Sequence, residues 1–228
     1  MKLEALDCET HAELRLSRRV PDIPHFVEIV ASEFVSAATC CPIFFTKSPE
    51  TGAFYVGALF GFKPGENLVA AGNSGPPAFI PLDRQRAGFF VSGDHIAVDL
   101  DDPRLSSSEQ SAEQLFDSDG QPAPALRQIQ RQLTALVEGK HETDIFINDL
   151  LKLKLIEPID VSLRFDDGEQ MTLEGLYTVS LDGLAEIDDA DALRLFRNGH
   201  LQLAYAINAS LKQVAVLAER RNRLLAEI

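Results

Sequence analysis

An α+β fold, with a largely antiparallel sheet, helices packed on it and a long C-terminal helix, is what this 228-residue sequence predicts. Three observations carry that expectation. Strand-length apolar runs, Ile43-Phe44-Phe45 and Phe54–Phe60, are joined by a short hairpin-like connection. Two further tight-turn signals, Ser92-Gly93-Asp94 and Asp166-Asp167-Gly168, stand between alternating apolar and polar segments. Helical periodicity occupies its own blocks, the last of them running from His200 to Leu225. The length is long for one domain and short for two, so one domain over residues 23–228, preceded by an arm over 1–22, is expected.

Each element has its local reason. Residues 1–22 alternate charge and small apolar side chains weakly, which predicts an arm with one short strand. Pro24 suits the first turn of a helix, and Phe26, Ile29, Val30, Phe34 and Ala37 recur at helical spacing, predicting a helix over 25–37. Residues 72–77 are Gly, Ser, Asn and Pro, a loop composition. Ala87–Val91 and His95–Leu100 form the next expected hairpin, and Ser106-Ser107-Ser108 opens a short helix around Glu109–Phe116. Leu126, Ile129, Leu133, Leu136 and Val137 mark one face of a helix over 123–138. Gly139 breaks it, and a second helix covers His141–Leu153. Val161–Phe165 pairs with Met171–Val179, then Asp189–Arg197 is a short helix ended by Asn198-Gly199. The closing helix carries a stripe of Ala204, Ile207, Leu211, Val214 and Ala218. Leu201, Leu203, Val216 and Leu217 widen its apolar face, which makes a homodimer through this helix an expectation.

Composition narrows the role. With 35 acidic against 21 basic residues the formal charge is −14, so neither nucleic acid nor an anionic membrane surface is an expected partner. No apolar stretch approaches the roughly 18 residues of a membrane span, so no membrane insertion is expected. Cys8, Cys40 and Cys41 are an odd set, read as reduced thiols; with no apolar signal-peptide core in residues 1–24, that predicts a cytoplasmic protein.

Motifs of known chemistry are scarce. His11, His25, His95, His141 and His200 are scattered, and neither His141 with Asp144 nor His95 with Asp99 completes the three protein ligands of a catalytic metal site. No cofactor or metal is therefore expected. Cys40-Cys41 follows a helix end and adjoins Pro42, a packing context, and Ser74 lacks the Gly-x-Ser-x-Gly elbow. Gly57, Gly61 and Gly65 sit in and after a strand with no Lys-Ser pair, unlike a phosphate loop. Five residues remain as candidates for ligand or partner binding: His25, Glu28, Glu33, Arg84 and Arg86. His25 and Glu28 share a face of the expected helix, whereas Glu28 and Glu33, five apart, do not stack. Arg84 and Arg86 either grip a carboxylate of a ligand or partner, or neutralise Asp83, Asp94 and Asp99.

In its ordered motifs the chain resembles the SapC family, named after a surface-layer-associated bacterial protein. The resemblance rests on His25-Phe-x-Glu-Ile-Val with Glu33-Phe, Pro42-Ile-Phe-Phe-x-Lys47, Ala58-Leu-Phe-Gly-Phe, Gly65-Glu-Asn-Leu and Phe79-Ile-Pro-Leu with Arg84 and Phe89. It continues through Leu115-Phe-Asp-x-Asp-Gly120, Leu173-Glu-Gly-Leu-Tyr177 and Tyr205-Ala with Ser210-Leu, spanning about residues 15–220. Gly72–Gly75 lacks the aromatic residue usual in the family, and Arg84-Gln-Arg-Ala-Gly-Phe89 stands where members tend to read Arg-Arg-Tyr-Pro-Phe. The resemblance implies a non-catalytic binding or accessory protein, serving surface-layer export or TonB-dependent nutrient uptake through a protein partner or small-molecule ligand. The alternative is a metal-dependent oxygenase or other modifying enzyme acting with neighbouring halogenase or cupin-type enzymes, built on His25, Glu28, Glu33 and His95.

Overall fold

The computed structural model describes residues 2–17, 19, 22–70, 78–86, 88–106 and 112–226. In chain order the strands are β1 (Leu3–Ala5), β2 (Arg15–Leu16), β3 (Phe26–Glu28), β4 (Ile43–Lys47), β5 (Phe54–Leu59), β6 (Phe89–Ser92) and β7 (His95–Asp99). They continue with β8 (Leu105–Ser106), β9 (Glu113–Gln114), β10 (Ile156–Pro158), β11 (Val161–Arg164), β12 (Gln170–Leu173) and β13 (Tyr177–Val179). The helices are α1 (Phe34–Ala37), α2 (Leu82–Gln85), α3 (Pro124–Lys152), α4 (Leu181–Glu186), α5 (Asp189–Arg197), α6 (His200–Ser210) and α7 (Gln213–Ala226). Every strand pairing among the described residues is antiparallel, so the chain is α+β as its sequence predicts. Two compact units emerge: unit 1 is Met1–Asp22 with Leu82–Glu138, and unit 2 is Ile23–Pro81 with Gly139–Ile228.

In unit 1, β6 and β7 form the expected hairpin, with Ser92 opposite His95 and Gly93 at φ +57 in the turn. β1 pairs with the other edge of β7, and β2 lies between β8 and β9. The described part of residues 1–22 thus supplies two strands where one was expected. Their pairing partners lie some ninety residues away in sequence, so no local pattern announces them. Phe89, Val98, Leu115 and Phe116 form the core with Ala125, Leu126, Ile129 and Leu133 of α3, one stripe of that helix. The helix expected around Glu109–Phe116 falls partly outside the described residues, as do Ala87 and the Gly72–Pro77 loop; Glu113–Gln114 is strand.

Unit 2 carries a five-stranded sheet in the order β10-β13-β4-β5-β3 and the separate β11–β12 hairpin. The helix expected over 25–37 is corrected here. Phe26–Glu28 is strand, pairing with the edge of β5, and helical geometry begins only at Ala31. The open edge of β5 overrode the helical spacing by offering the backbone a ladder, including Ile29 N–H to the Val56 carbonyl at 3.0 Å. Gly139 does not break α3 either. A Cβ there would meet Val30 Cγ2 at 2.6 Å, so the glycine serves close packing and the helix runs through. The expected strand over 171–179 divides at Gly175, whose φ of +72 lets the chain leave β12 and rejoin as β13 beside β4.

Ser180 and Asp188 cap α4 and α5, accepting from Gly183 N–H (3.2 Å) and Asp191 N–H (2.8 Å). The closing helix extends from His200 to Ala226 with a turn at Leu211-Lys212 between α6 and α7. Its Leu217 is fully buried within the core of unit 2, while Val216 is 36% exposed. Part of the face assigned to a dimer is therefore used inside the subunit. Phe146 of α3 meets Phe34 (ring centroids 5.9 Å) and Phe45 (6.1 Å) at the centre of that core.

Candidate ligand-binding cleft

Alternation along the unit 2 sheet builds the site. Tyr55, Gly57 and Leu59 lie on one face of β5, because alternate residues of a strand point the same way. Thr46 of β4 stands opposite Tyr55, and Phe26 and Glu28 of β3 stand opposite Leu59 and Gly57. On this face a cleft of about 310 Å³ opens, its far wall formed by Thr172, Leu173, Glu174 and Leu176. His25 and Phe62 complete the lining.

Two details shape the cleft. Gly57 lets the Phe26 ring lie across β5: a Cβ at Gly57 would sit 2.3 Å from that ring. The Phe26 ring then meets Tyr55 edge-on, with centroids 6.4 Å apart. Thr46 Oγ1 donates to the Gly175 carbonyl at 3.1 Å, tying the sheet to the segment behind β12. Burial, reinforced by the negative charge of Glu28, pushes the Tyr55 phenol above its ordinary value, so Tyr55 is held as a neutral hydroxyl.

The five sequence candidates have separate fates. His25 is half-buried and lines the cleft, and its carbonyl accepts from Phe60 N–H at 2.7 Å. Glu28 is exposed and lies 3.7 Å from Lys140 of α3. Its place in β3 ends the expected sharing of a helix face with His25. Glu33 is buried, and its Oε2 accepts from Val30 N–H at 3.0 Å, holding the start of the helical turn. Arg84 and Arg86, in unit 1, converge on one carboxylate. Arg84 Nε donates to Asp83 Oδ2 at 2.9 Å and Arg86 Nε to Asp83 Oδ1 at 3.0 Å. Arg86 also donates to the Phe89 carbonyl (2.7 Å) and stacks on Phe90 (4.1 Å). Burial would raise the Asp83 carboxyl, yet the Arg84 hydrogen bond and the two guanidinium charges outweigh it and hold it below the ordinary carboxylate range. His95 lines a different cleft, of about 440 Å³ in unit 1, with Ile96, Leu133 and Val137.

Among the described residues, unit 2 also holds two ionic clusters that the sequence reading missed. Asp149 of α3 lies 3.0 Å from Arg194 Nη1 and 3.0 Å from His200 Nδ1, the latter without hydrogen-bond alignment. Asp149 and His200 are both buried, and the imidazole sits edge-on to Phe146. The signal was an acid inside the apolar run Ile145-Phe146-Ile147-Asn148-Asp149-Leu150-Leu151. Arg221 of α7, also buried, donates to Glu169 Oε2 (2.7 Å), lies 3.7 Å from Glu66 and stacks on Phe165. No periodicity links residues 66, 169 and 221.

An α+β chain with a ligand-sized cleft on the open face of an antiparallel sheet is the class these features define. The SapC family model matches residues 6–217, and the chain belongs to the SapC family. No curated protein matches it, and no solved structure does.

Proposed function

We propose that this SapC member is a non-catalytic binding protein that works in the cytoplasm as an accessory to surface-layer export or TonB-dependent nutrient uptake. The cleft lined by His25 and Tyr55 carries the binding part of this reading, and the export or uptake role rests on the SapC membership. Its volume falls at the lower end of the range of small-molecule sites, roughly 300–1,000 Å³. Phe26, Leu59, Phe62, Leu173 and Leu176 supply an apolar lining, and the imidazole, the hydroxyls of Thr46, Tyr55 and Thr172 and the Glu174 carboxylate supply a few polar contacts. That composition suits a small, mainly apolar molecule bearing one hydrogen-bonding group. Three unbonded cysteines accord with a reducing compartment.

Native mass spectrometry of gently purified protein tests the reading. A co-purifying small molecule is expected on the wild type and lost from the Tyr55→Phe, His25→Ala double variant. Wild-type protein with an empty cleft, together with a native-lysate pull-down that recovers no partner, would remove the proposal. Stoichiometric iron or zinc on protein purified without chelator would replace it with the enzymatic alternative, and recovery only outside the cell would remove the cytoplasmic assignment.

A further inference from the structure

Cys40 and Cys41 sit in the turn between α1 and β4, inside the core of unit 2 and apart from the residues of the cleft. Their sulfurs are 3.6 Å apart. The backbone N–H groups of both residues donate to the Ala37 carbonyl, at 3.0 and 2.8 Å, which holds the pair in one compact turn. Cys40 keeps 7% of its surface exposed and Cys41 none, so a reagent from solvent meets Cys40 first.

The two thiols are electronically unequal. The two sulfurs share a hydrogen bond in which either can donate, and the Cys40 thiol also donates to the Ala37 carbonyl at 3.6 Å. The contact with Cys41 lowers Cys40 below its ordinary value against the opposing effect of burial, helped by Thr39 and the positive charge of Arg220. The same hydrogen bond, burial and the charge on Cys40 push Cys41 upward. The more exposed sulfur, Cys40, lies 3.6 Å from the fully buried Cys41, and the opposite directions of their shifts agree with that order, Cys40 attacking and Cys41 resolving.

We propose that Cys40 and Cys41 form a reversible oxidation site for hydroperoxides, with Cys40 attacking and Cys41 resolving. The Cys40 thiolate attacks the terminal peroxide oxygen. The O–O bond breaks, the sulfur is oxidised to a sulfenic acid, and the departing oxygen leaves as alcohol or water after taking a proton. Cys41 sulfur then attacks the sulfenic sulfur. An S–S bond forms, the S–O bond breaks, and the Cys41 proton leaves with the oxygen as water. Overall two thiols and one hydroperoxide give one disulfide, one alcohol or water, and one further water.

Reversibility follows from geometry. Neighbouring Cα atoms are about 3.8 Å apart across a trans peptide, shorter than the roughly 4.4–6.8 Å usual for disulfides. A disulfide between adjacent residues is therefore strained and readily reduced by cellular thiols. The turn is also fastened to the closing helices, since Gln213 Nε2 donates to the Thr39 carbonyl (3.1 Å) and Ile43 N–H donates to Ser210 Oγ (2.8 Å). Ring closure redirects the Cys40–Cys41 peptide between those two bonds, so the junction of α6 and α7 reports the oxidation.

The test is mild hydrogen peroxide on the full-length native protein, followed by denaturation, alkylation and mass mapping. The wild type is expected to lose the mass of two hydrogens, with Cys40 and Cys41 both protected from alkylation, Cys8 still alkylated, and dithiothreitol restoring the starting mass. With dimedone present, Cys41→Ser is expected to carry one adduct at Cys40 and Cys40→Ser none at Cys41. Hydrogen exchange around Ser210–Gln213 should rise in the oxidised wild type. Cys40 and Cys41 remaining alkylatable, or Cys8 alone reacting, overturns the site on wild-type protein without recourse to any variant. An adduct at Cys41 in Cys40→Ser, formed as fast as the one at Cys40 in Cys41→Ser, overturns the assigned order.

Discussion

Unit 2 buries Phe34, Phe44, Phe45, Phe60 and Phe146 completely around a five-stranded sheet, whereas unit 1 rests on Phe89, Leu115, Leu126 and Ile129 beside two three-stranded sheets. The larger unit draws its central β4–β5 hairpin from one continuous stretch, with Lys47 opposite Phe54 across a six-residue connection. The smaller unit pairs β1 with β7 and β2 with β8 and β9, joining segments far apart in sequence. A dense aromatic centre with local pairing is legible from patterning. A sheet assembled from distant two- and three-residue strands is not.

The largest expected effect tests that aromatic centre. Phe146→Ala removes a ring that touches Phe34, Phe45 and the His200 imidazole. It should cost about 3–5 kcal/mol, measured by urea unfolding; a cost near the surface-mutant range would show that the unit 2 core repacks freely. Leu126→Ala is the counterpart in unit 1, where Leu126 is 2% exposed. A cost of roughly 2–4 kcal/mol is expected, with faster amide exchange in β6 and β7, and unchanged exchange there would break the comparison.

Gly57→Ala asks about the cleft instead of the core. Its new Cβ would meet the Phe26 ring, so the ring must swing, at a cost of about 1–3 kcal/mol. The expected readout is weaker retention, in native mass spectrometry, of the small molecule proposed to occupy the cleft.

The smallest effect concerns Asp83 in unit 1. Its folded-state carboxyl is held below the ordinary value, so its contribution is present above the unfolded value of about 3.9 and disappears as pH falls through the lower folded value. Asp83→Asn should therefore be destabilised by about 1 kcal/mol or less at neutral pH, with the difference from wild type closing below about pH 4 in thermal melts. A gap that widens in acid would contradict the guanidinium pairing.

The candidate residues show why a site is harder to read than a fold. His25 was picked for its place beside an apolar stripe and lines the cleft, yet through a strand and not a helix. Glu33 was picked as an acid of the expected helix, five residues beyond Glu28, and is buried against its own backbone. Tyr55 and Thr46 passed unnoticed because hydroxyls in a strand carry no spacing signal; cross-strand register places them side by side. Asp149, Arg194 and His200 meet through helix packing that one-dimensional spacing does not encode.

From the sequence alone came the α+β class, the β4–β5, β6–β7 and β11–β12 hairpins, the extents of α5 and the closing helix, and the SapC membership. The membership rests on the ordered motifs, and the fold elements depend on nearest-neighbour chemistry: turn residues, caps, and apolar periods of two or between three and four. Tertiary structure alone decided that 26–28 is strand, that α3 runs through Gly139, and which polar groups face the cleft. Each of these was settled by a partner distant in the chain, a free strand edge, the Val30 side chain or an opposing register, whose free energy exceeds the small local preferences that spacing expresses.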